Sequence, residues 1–317
     1  MKILITGSMG FISRNLIEKS LLKDPRISKI YGIDHIDSLI HSKKYYHYKF
    51  DLTKNILNSL PNELFEVDLI IHNAGIPSPK FYKIEPFKTI ILNFDVTRQL
   101  LEKISDNTYF VYFSSSEIYG DPDPQNIPTK EIYNGYVSSI GDRSCYDESK
   151  RLGETICYLF ANYKKKKIKI IRPFNFYGDY MKENDNRIIP KFISQAIKNK
   201  NITVFNKGEQ TRSYCYIDDS ITMIKNICLE GKGFVYNVGR MEEEISANEL
   251  AKKVLEIVPN TKSKIIKIDY PNEYPKDEPM RRCPNIDKYL EEFKEKPRID
   301  LKTGLSNFYQ YARKNWK

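Results

Sequence analysis

Short apolar runs alternate with segments of helical period from the N-terminus to about residue 173. Residues 2–6 (KILIT) read as a buried strand, and an amphipathic helix follows to about Leu22. Residues 30–34 (IYGID) and 67–72 (VDLIIH) are further strand-length runs. Between 87 and 104, Ile90, Ile91, Phe94, Val96, Leu100, Leu101 and Ile104 recur at helical spacing. A strand is expected over 109–113, a helix over 147–163 with Leu152, Ile156, Leu159 and Phe160 on one side, and a strand over 168–171. Apolar strands that alternate with helices predict an α/β fold, with a doubly wound parallel sheet covered on both faces.

After Pro173 the rhythm changes. Segments shorten and mix polar with aromatic residues. The pattern predicts a helix over 247–258, a strand over 265–268 and a terminal helix over 305–316. Residues 271–285, rich in proline and charge, read as an ordered loop. These features divide the chain into a main unit, 1–173 with a returning segment near 213–238, and a smaller mixed α/β lobe, 174–212 and 239–317. The strand near Val235 is expected to rejoin the main sheet.

With 317 residues, 40% hydrophobic and 29% charged, the composition is that of an ordinary globular protein. No apolar run approaches the ~20 residues that span a bilayer, and the N-terminal run is too short for a signal segment, so a cytoplasmic location with no membrane partner is expected. Five cysteines without C-x-x-C spacing support neither a disulfide framework nor zinc, and four scattered histidines suggest no metal site. The net charge of +10 raises the question of nucleic acid. Much of the excess is lysine in segments such as 164–167, and no aromatic-plus-basic binding motif accompanies it, so no nucleic-acid partner is expected. A small anion such as a nucleotide suits the same field.

The first strand runs directly into Gly7-x-x-Gly10-x-x-Ser13. Glycines here let backbone N–H groups approach a diphosphate at a helix N-terminus. The third position is usually glycine, and Ser13 is small enough to require only a slight adjustment. Asp34 ends the second strand, where a carboxylate accepts from ribose hydroxyls and repels a 2′-phosphate, so NAD is expected over NADP. Asp51 and Leu52 are placed beside the adenine. Met9, Phe11, Ile12, Ala74, Ser114, Tyr146 and Lys150 complete the expected cofactor-binding set. The sheet is therefore expected to be of the Rossmann type.

Ser114-Ser115-Ser116-Glu117 closes the strand at 109–113, and Tyr146-x-x-x-Lys150 opens the helix that follows. A Tyr and a Lys four apart share one helix face. Lys150 and a nicotinamide cation would both favour the phenolate, making Tyr146 a general base for an alcohol, with Ser115 holding the same oxygen. Such a pair arises easily by chance among 23 tyrosines, but its place behind a dinucleotide turn and a serine cluster makes it specific.

With these motifs the chain resembles the extended short-chain dehydrogenases/reductases that act on nucleotide sugars, and among them the UDP-glucuronate decarboxylases. The resemblance rests on 114–122 (SSSEIYGDP), 140–151 (IGDRSCYDESKR), 172–178 (RPFNFYG), 184–187 (NDNR), 210–212 (QTR) and 281–286 (RRCPNI), and runs from residue 2 to about 298. It implies a catalytic set of Tyr146, Lys150, Ser115, Glu117 and Arg282. It also implies a substrate set of Tyr82, Asn93, Glu117, Asn175, Arg187, Arg212 and Arg282, with Asn175, Arg187 and Arg212 on the diphosphate. Arg281 stands beside Arg282, so that assignment could move by one position. The smaller lobe would hold the nucleotide sugar. A homodimer through 87–104 and 147–163 is also implied.

Met280, Cys283 and Asp179-Tyr180 depart from the family pattern, as does the loop after Asp34, which points to changes on the diphosphate and sugar sides of the pocket. Ser116, where a 4,6-dehydratase carries an aspartic acid, favours decarboxylation over dehydration. A plain C4 dehydrogenase, a 4-epimerase or a 4,6-dehydratase on another nucleotide sugar, and a catalytically silent NAD-sensing protein, are the alternatives.

Overall fold

The computed structural model describes residues 1–54, 57–271 and 279–316. Its main sheet is built from β1 (Lys2–Thr6), β2 (Lys29–Asp34), β3 (Tyr45–Lys49), β4 (Leu69–His72), β5 (Tyr109–Phe113) and β6 (Lys167–Pro173). Strands β7 (Asn175–Tyr177), β8 (Ile202–Phe205), β9 (Thr211–Arg212) and β10 (Tyr214–Tyr216) follow, and β11 (Val235–Val238) returns to the main sheet. The order across that sheet is β11-β6-β5-β4-β1-β2-β3, parallel throughout. Strand order reverses beside β1, so a crevice opens at the carboxyl ends of β1 and β4.

Helices cover both faces. On one side α1 (Phe11–Lys19) packs Leu16 and Ile17 into a core that also takes Ile3, Ile5, Val111 and Ile171. On the other lie Leu4, Ile70, Phe110 and Ile170. They meet residues from the turn Ile91–Asp95, from α4 (Val96–Lys103) and from α5 (Ser144–Tyr163), including Leu92, Leu100, Leu101 and Cys157; α2 (Pro79–Ile84) and α3 (Pro86–Ile90) precede that turn. Both faces are apolar because parallel strands have no solvated side.

The later segments add α6 (Ile188–Ile197), α7 (Ile217–Glu230), strand β12 (Ile245–Ser246), α8 (Ala247–Ile257), β13 (Ile265–Ile268), β14 (Arg281–Arg282), α9 (Asp287–Phe293) and α10 (Leu301–Asn315). Phe192, Leu250, Val254, Leu305 and Phe308 join the same core as Leu16 and Ile17. A full capping box at Ser246 and Glu249 starts α8, and the Asp300 side chain accepts from Thr303 N to start α10 four residues before Leu305.

The structure departs from or adds to the sequence reading in three details. The segment 87–104 is not one regular helix: a π turn, Ile91–Asp95, separates α3 from α4. Strand β3 carries no apolar run (YYHYK) because it is the sheet edge, with Tyr46 and Lys49 exposed. The proline-rich stretch 271–285 lies outside the described residues over 272–278, and its end forms β14 against β9.

Candidate active site

The glycine-rich turn joins β1 to α1 as its sequence requires. Gly7 adopts φ +66°, and a Cβ there would sit 2.8 Å from Ala74 Cα, so a side chain would push apart the ends of β1 and β4. Its N–H donates to Ile33 O at 2.8 Å. Gly10 precedes the first turn of α1, leaving backbone N–H groups of Phe11 and Ile12 at the helix N-terminus. Ser13 is buried in the third position and accepts from the Asn73 side-chain amide at 2.7 Å. The missing glycine is thus replaced by a bond to the end of β4.

Asp34, buried at the end of β2, accepts from Met9 N at 2.9 Å and from Ile36 N at 3.3 Å. Both bonds brace the carboxylate beside the glycine turn. Asp51 accepts from the Thr53 hydroxyl at 2.6 Å, which holds its carboxyl below the ordinary value, and Leu52 is buried. Ala74 N donates to the Thr6 hydroxyl, and that hydroxyl also meets His72 Nδ1 at 2.6 Å. Burial first, then the Lys150 charge, lowers the His72 pKa to about 3, so its ring is neutral and serves as a brace. A cradle in which a Cβ would collide, a helix N-terminus and a carboxylate at the second strand fit a dinucleotide.

Ser114 and Ser115 follow β5, and Ser115 hydrogen-bonds Tyr146 on the first turn of α5. Among the described residues Ser114 Oγ is buried with no hydrogen-bond partner, and Ser115 Oγ caps Glu117 N at 3.2 Å. Tyr146 is buried and stacks on Tyr82, with centroids 5.2 Å apart and planes 18° from parallel. Lys150 Nζ donates to Phe113 O at 2.7 Å and lies 5.9 Å from the Tyr146 ring centroid. Burial lowers the Lys150 pKa to about 7. Burial raises the Tyr146 phenol, while its hydrogen bond with Ser115 pulls the other way.

Asn93 sits in the π turn, fully buried. Its Nδ2 donates to Ser149 Oγ at 2.9 Å, and its Oδ1 has no partner among the described residues. Gly153 makes this possible, since a Cβ there would fall 2.8 Å from Asn93 O and would strike the Tyr112 hydroxyl. The absence of that carbon lets α5 lie directly on the turn.

Glu117 lies in a 3₁₀ turn after β5, and two guanidinium groups hold the same oxygen. Arg143 Nη2 contacts Oε2, and Arg282 Nη2 donates to Oε2 at 3.2 Å. Burial favours the neutral acid, but the charges of Arg282, Arg143 and Arg212 outweigh it and hold the carboxyl below its ordinary value. Arg282 is 2% exposed and also donates to the carbonyls of Ser116 and Gly120. Arg281 instead pairs with Glu244, with 2.7 Å between Nη2 and Oε2. Strand alternation turns Arg282 inward and Arg281 outward.

The remaining substrate candidates are less convergent. Arg187 pairs with Asp185 and stacks over Phe11 at 5.2 Å, beside the glycine turn. Arg212 donates to the carbonyls of Thr211, Met280 and Pro279. Asn175 donates to Ser213 O at 3.2 Å. Asp179, one departure from the family pattern, ties the fold together: it pairs with Lys19 at 2.7 Å, and its carbonyl accepts from Asn15 on α1. Cys283 is buried, and burial pushes its thiol up to about 11.

Two residues given no role from the sequence belong to this cluster. Arg143 bridges Glu117 and Asp147, with its Nε 3.4 Å from Asp147 Oδ2. Asp147 is buried beside Tyr146, and its carboxyl is raised to about 7 by burial first and by Glu117 second. Their signal was present as an arginine and an aspartate four apart on either side of the tyrosine.

The sequence pattern of the NAD dependent epimerase/dehydratase family matches residues 3–239. UDP-glucuronic acid decarboxylase 6 of Arabidopsis thaliana is 35% identical, over 96% of this chain and 87% of that protein. The UDP-glucuronic acid 4-epimerase of Bacillus cereus, solved with UDP-glucuronic acid and NAD, superposes with TM-score 0.80 at 26% identity, and all of both chains is covered. The UDP-glucose 4-epimerase of Thermotoga maritima reaches TM-score 0.85 at 22% identity, again over all of both chains, and speaks for the fold. No helix among the described residues is long and apolar enough to cross a membrane. The glycine turn on β1, the serines on β5 and the tyrosine and lysine on α5 thus lie within a match that spans most of the chain, which belongs to the NAD dependent epimerase/dehydratase family.

Proposed function

We propose that this enzyme decarboxylates UDP-glucuronate to UDP-xylose without net oxidation. The observation that carries the reading is Glu117, an ionised carboxylate held by Arg143 and Arg282 close to Tyr146. The relatives named for this reaction support it.

The residues act in sequence. Tyr146, through its phenolate, takes the proton of the sugar C4 hydroxyl, and Ser115 holds that oxygen. NAD, held by the Gly7–Ile12 turn and Asp34, would supply reversible acceptance of the C4 hydride, which would leave the cycle redox-neutral. The 4-keto group lies β to the C6 carboxylate. The C5–C6 bond then breaks, carbon dioxide leaves and the electron pair moves into the C4 carbonyl as an enolate. A proton returns to C5 on the side of Glu117, delivered through water. Finally Tyr146 gives its proton back to the C4 oxygen. One substrate and one proton give one product and one carbon dioxide.

Asp34, with the turn at Gly7–Ile12, would hold the dinucleotide; Asn93, Tyr82 and the arginines would hold the sugar and diphosphate. The lobe formed by 174–212 and 239–317 would close over the nucleotide. We also propose a homodimer. Phe87 is 79% exposed, and Phe81, Ile84, Leu152 and Tyr158 stand out of α2, α3 and α5 as a solvent-facing apolar set.

Incubation with UDP-glucuronate and NAD tests the reading. Carbon dioxide should appear without accumulation of NADH. Net NADH would mark a dehydrogenase, and a C4-inverted uronic acid without gas would mark an epimerase. No turnover on any nucleotide sugar would mark an NAD-sensing protein.

A further inference from the structure

We propose that Arg143 is a positioning residue for decarboxylation: it fixes one oxygen of Glu117 together with Arg282, and leaves the other for the sugar. The proposal rests on the decarboxylase reading given above. Three observations support it. First, Arg143 and Arg282 approach Glu117 from different elements, the residue before α5 and strand β14, yet both meet Oε2. Two cations on one oxygen fix the carboxylate's rotamer, and among the described residues no hydrogen bond is made at Oε1, which leaves that edge open. Second, Arg143 is itself fixed. Its side chain is buried, and Asp147, four residues on, accepts from Nε at 3.4 Å. Third, Asp147 Oδ1 is buried without a hydrogen-bond partner among the described residues. That carboxyl is offered to Arg143 and is not saturated by its own backbone.

The arrangement separates the two halves of the reaction. Hydride removal at C4 depends on Tyr146, Ser115 and Lys150. Loss of carbon dioxide and protonation at C5 depend on where Glu117 points. Arg143 sits three residues before Tyr146, so one helix start sets the base and the carboxylate together. Among the described residues, the titratable and charged groups facing Glu117 are Arg143, Tyr146 and Asp147 from this helix start, Arg282 from β14 and Arg212 from β9.

The test uses Arg143→Met and Arg143→Lys on the full chain, with wild type in parallel. Single-turnover absorbance reads NADH formation, and gas release reads decarboxylation. For Arg143→Met, carbon dioxide release should fall about 10- to 100-fold, as expected on losing a charged hydrogen bond. The transient NADH signal should persist. Arg143→Lys, which keeps the charge but not the fork, should fall between the two. In a Glu117→Gln background, Arg143→Lys should add no further loss, because it acts through Glu117. Equal losses in both half-reactions, an unchanged gas release, or additive effects in the double variant would overturn the proposal. If neither single variant folds, Arg143 is a scaffold residue and the proposal falls. A wild-type enzyme that forms NADH from UDP-glucuronate but releases no gas would instead overturn the decarboxylase reading.

Discussion

Met9 donates its backbone N–H to Oδ2 of Asp34 at 2.9 Å, so the glycine turn and the end of β2 are locked by a single carboxylate. The same carboxylate stands where an adenosine ribose would meet it. A 2′-phosphate would therefore meet a negative charge that cannot swing aside without releasing the turn. NAD should bind at least about tenfold more tightly than NADP, a difference of ~1.4 kcal/mol. Asp34→Ala should narrow that ratio and weaken NAD itself. Titration of both cofactors against both proteins measures this, and equal affinities for the wild type would refute the role of Asp34.

Ser13 replaces the third glycine and is held by Asn73. Ser13→Ala removes one buried hydrogen bond and leaves the Asn73 amide short of an acceptor, which should cost about 1–3 kcal/mol. Ser13→Val should be worse, because a branched side chain overpacks the contact between α1 and β4. Thermal unfolding of the three proteins should follow the order wild type, Ala, Val. If Val matched wild type, the packing there would be looser than the 2.7 Å bond implies.

Much of this arrangement was legible in the chain. The runs KILIT and YFVYF are buried on both faces, so apolar composition alone marks them as strands of a parallel sheet. Strand β3 was not legible, because an edge strand carries exposed tyrosine and lysine and lacks an apolar run. The π turn at Ile91–Asp95 was hidden for another reason: its apolar residues keep a helix-like spacing, and the extra residue shows in the Val96 N–H, which donates to Ile91 O five residues back. At the site, Ser115, Tyr146 and Lys150 could be read from spacing. The orientation of Arg143 toward Glu117 could not, because 26 residues separate them and a three-dimensional turn joins them.

Tyr146 and Glu117 should separate by phenotype. Tyr146→Phe keeps the stack on Tyr82 and removes the proton acceptor, so no transient NADH should form on mixing with substrate. Glu117→Gln keeps the size and removes the charge. NADH should then form while carbon dioxide release falls by about 100-fold or more, in the range general acid–base catalysis contributes. Normal gas release by Glu117→Gln would remove Glu117 from the chemistry.

Asp147 should make the protein less stable as pH rises. Burial first, and the Glu117 charge second, raise its carboxyl to about 7, above an unfolded value of ~3.9. The folded state therefore keeps a proton that the unfolded state has already lost. The stabilising contribution of this group is fully present below ~pH 4, declines from there to about pH 7 and is gone above it. Other carboxyls in the fold are held low and slope the opposite way, Glu117 among them. The informative quantity is thus the difference between wild type and Asp147→Asn, which cannot titrate. Stability of the variant relative to wild type should rise by a few kcal/mol between pH 4 and 7 and then stay level. Denaturant unfolding at intervals across that range measures it. A flat difference would mean that Asp147 is ionised throughout, with Arg143 holding both carboxylates as full ion pairs.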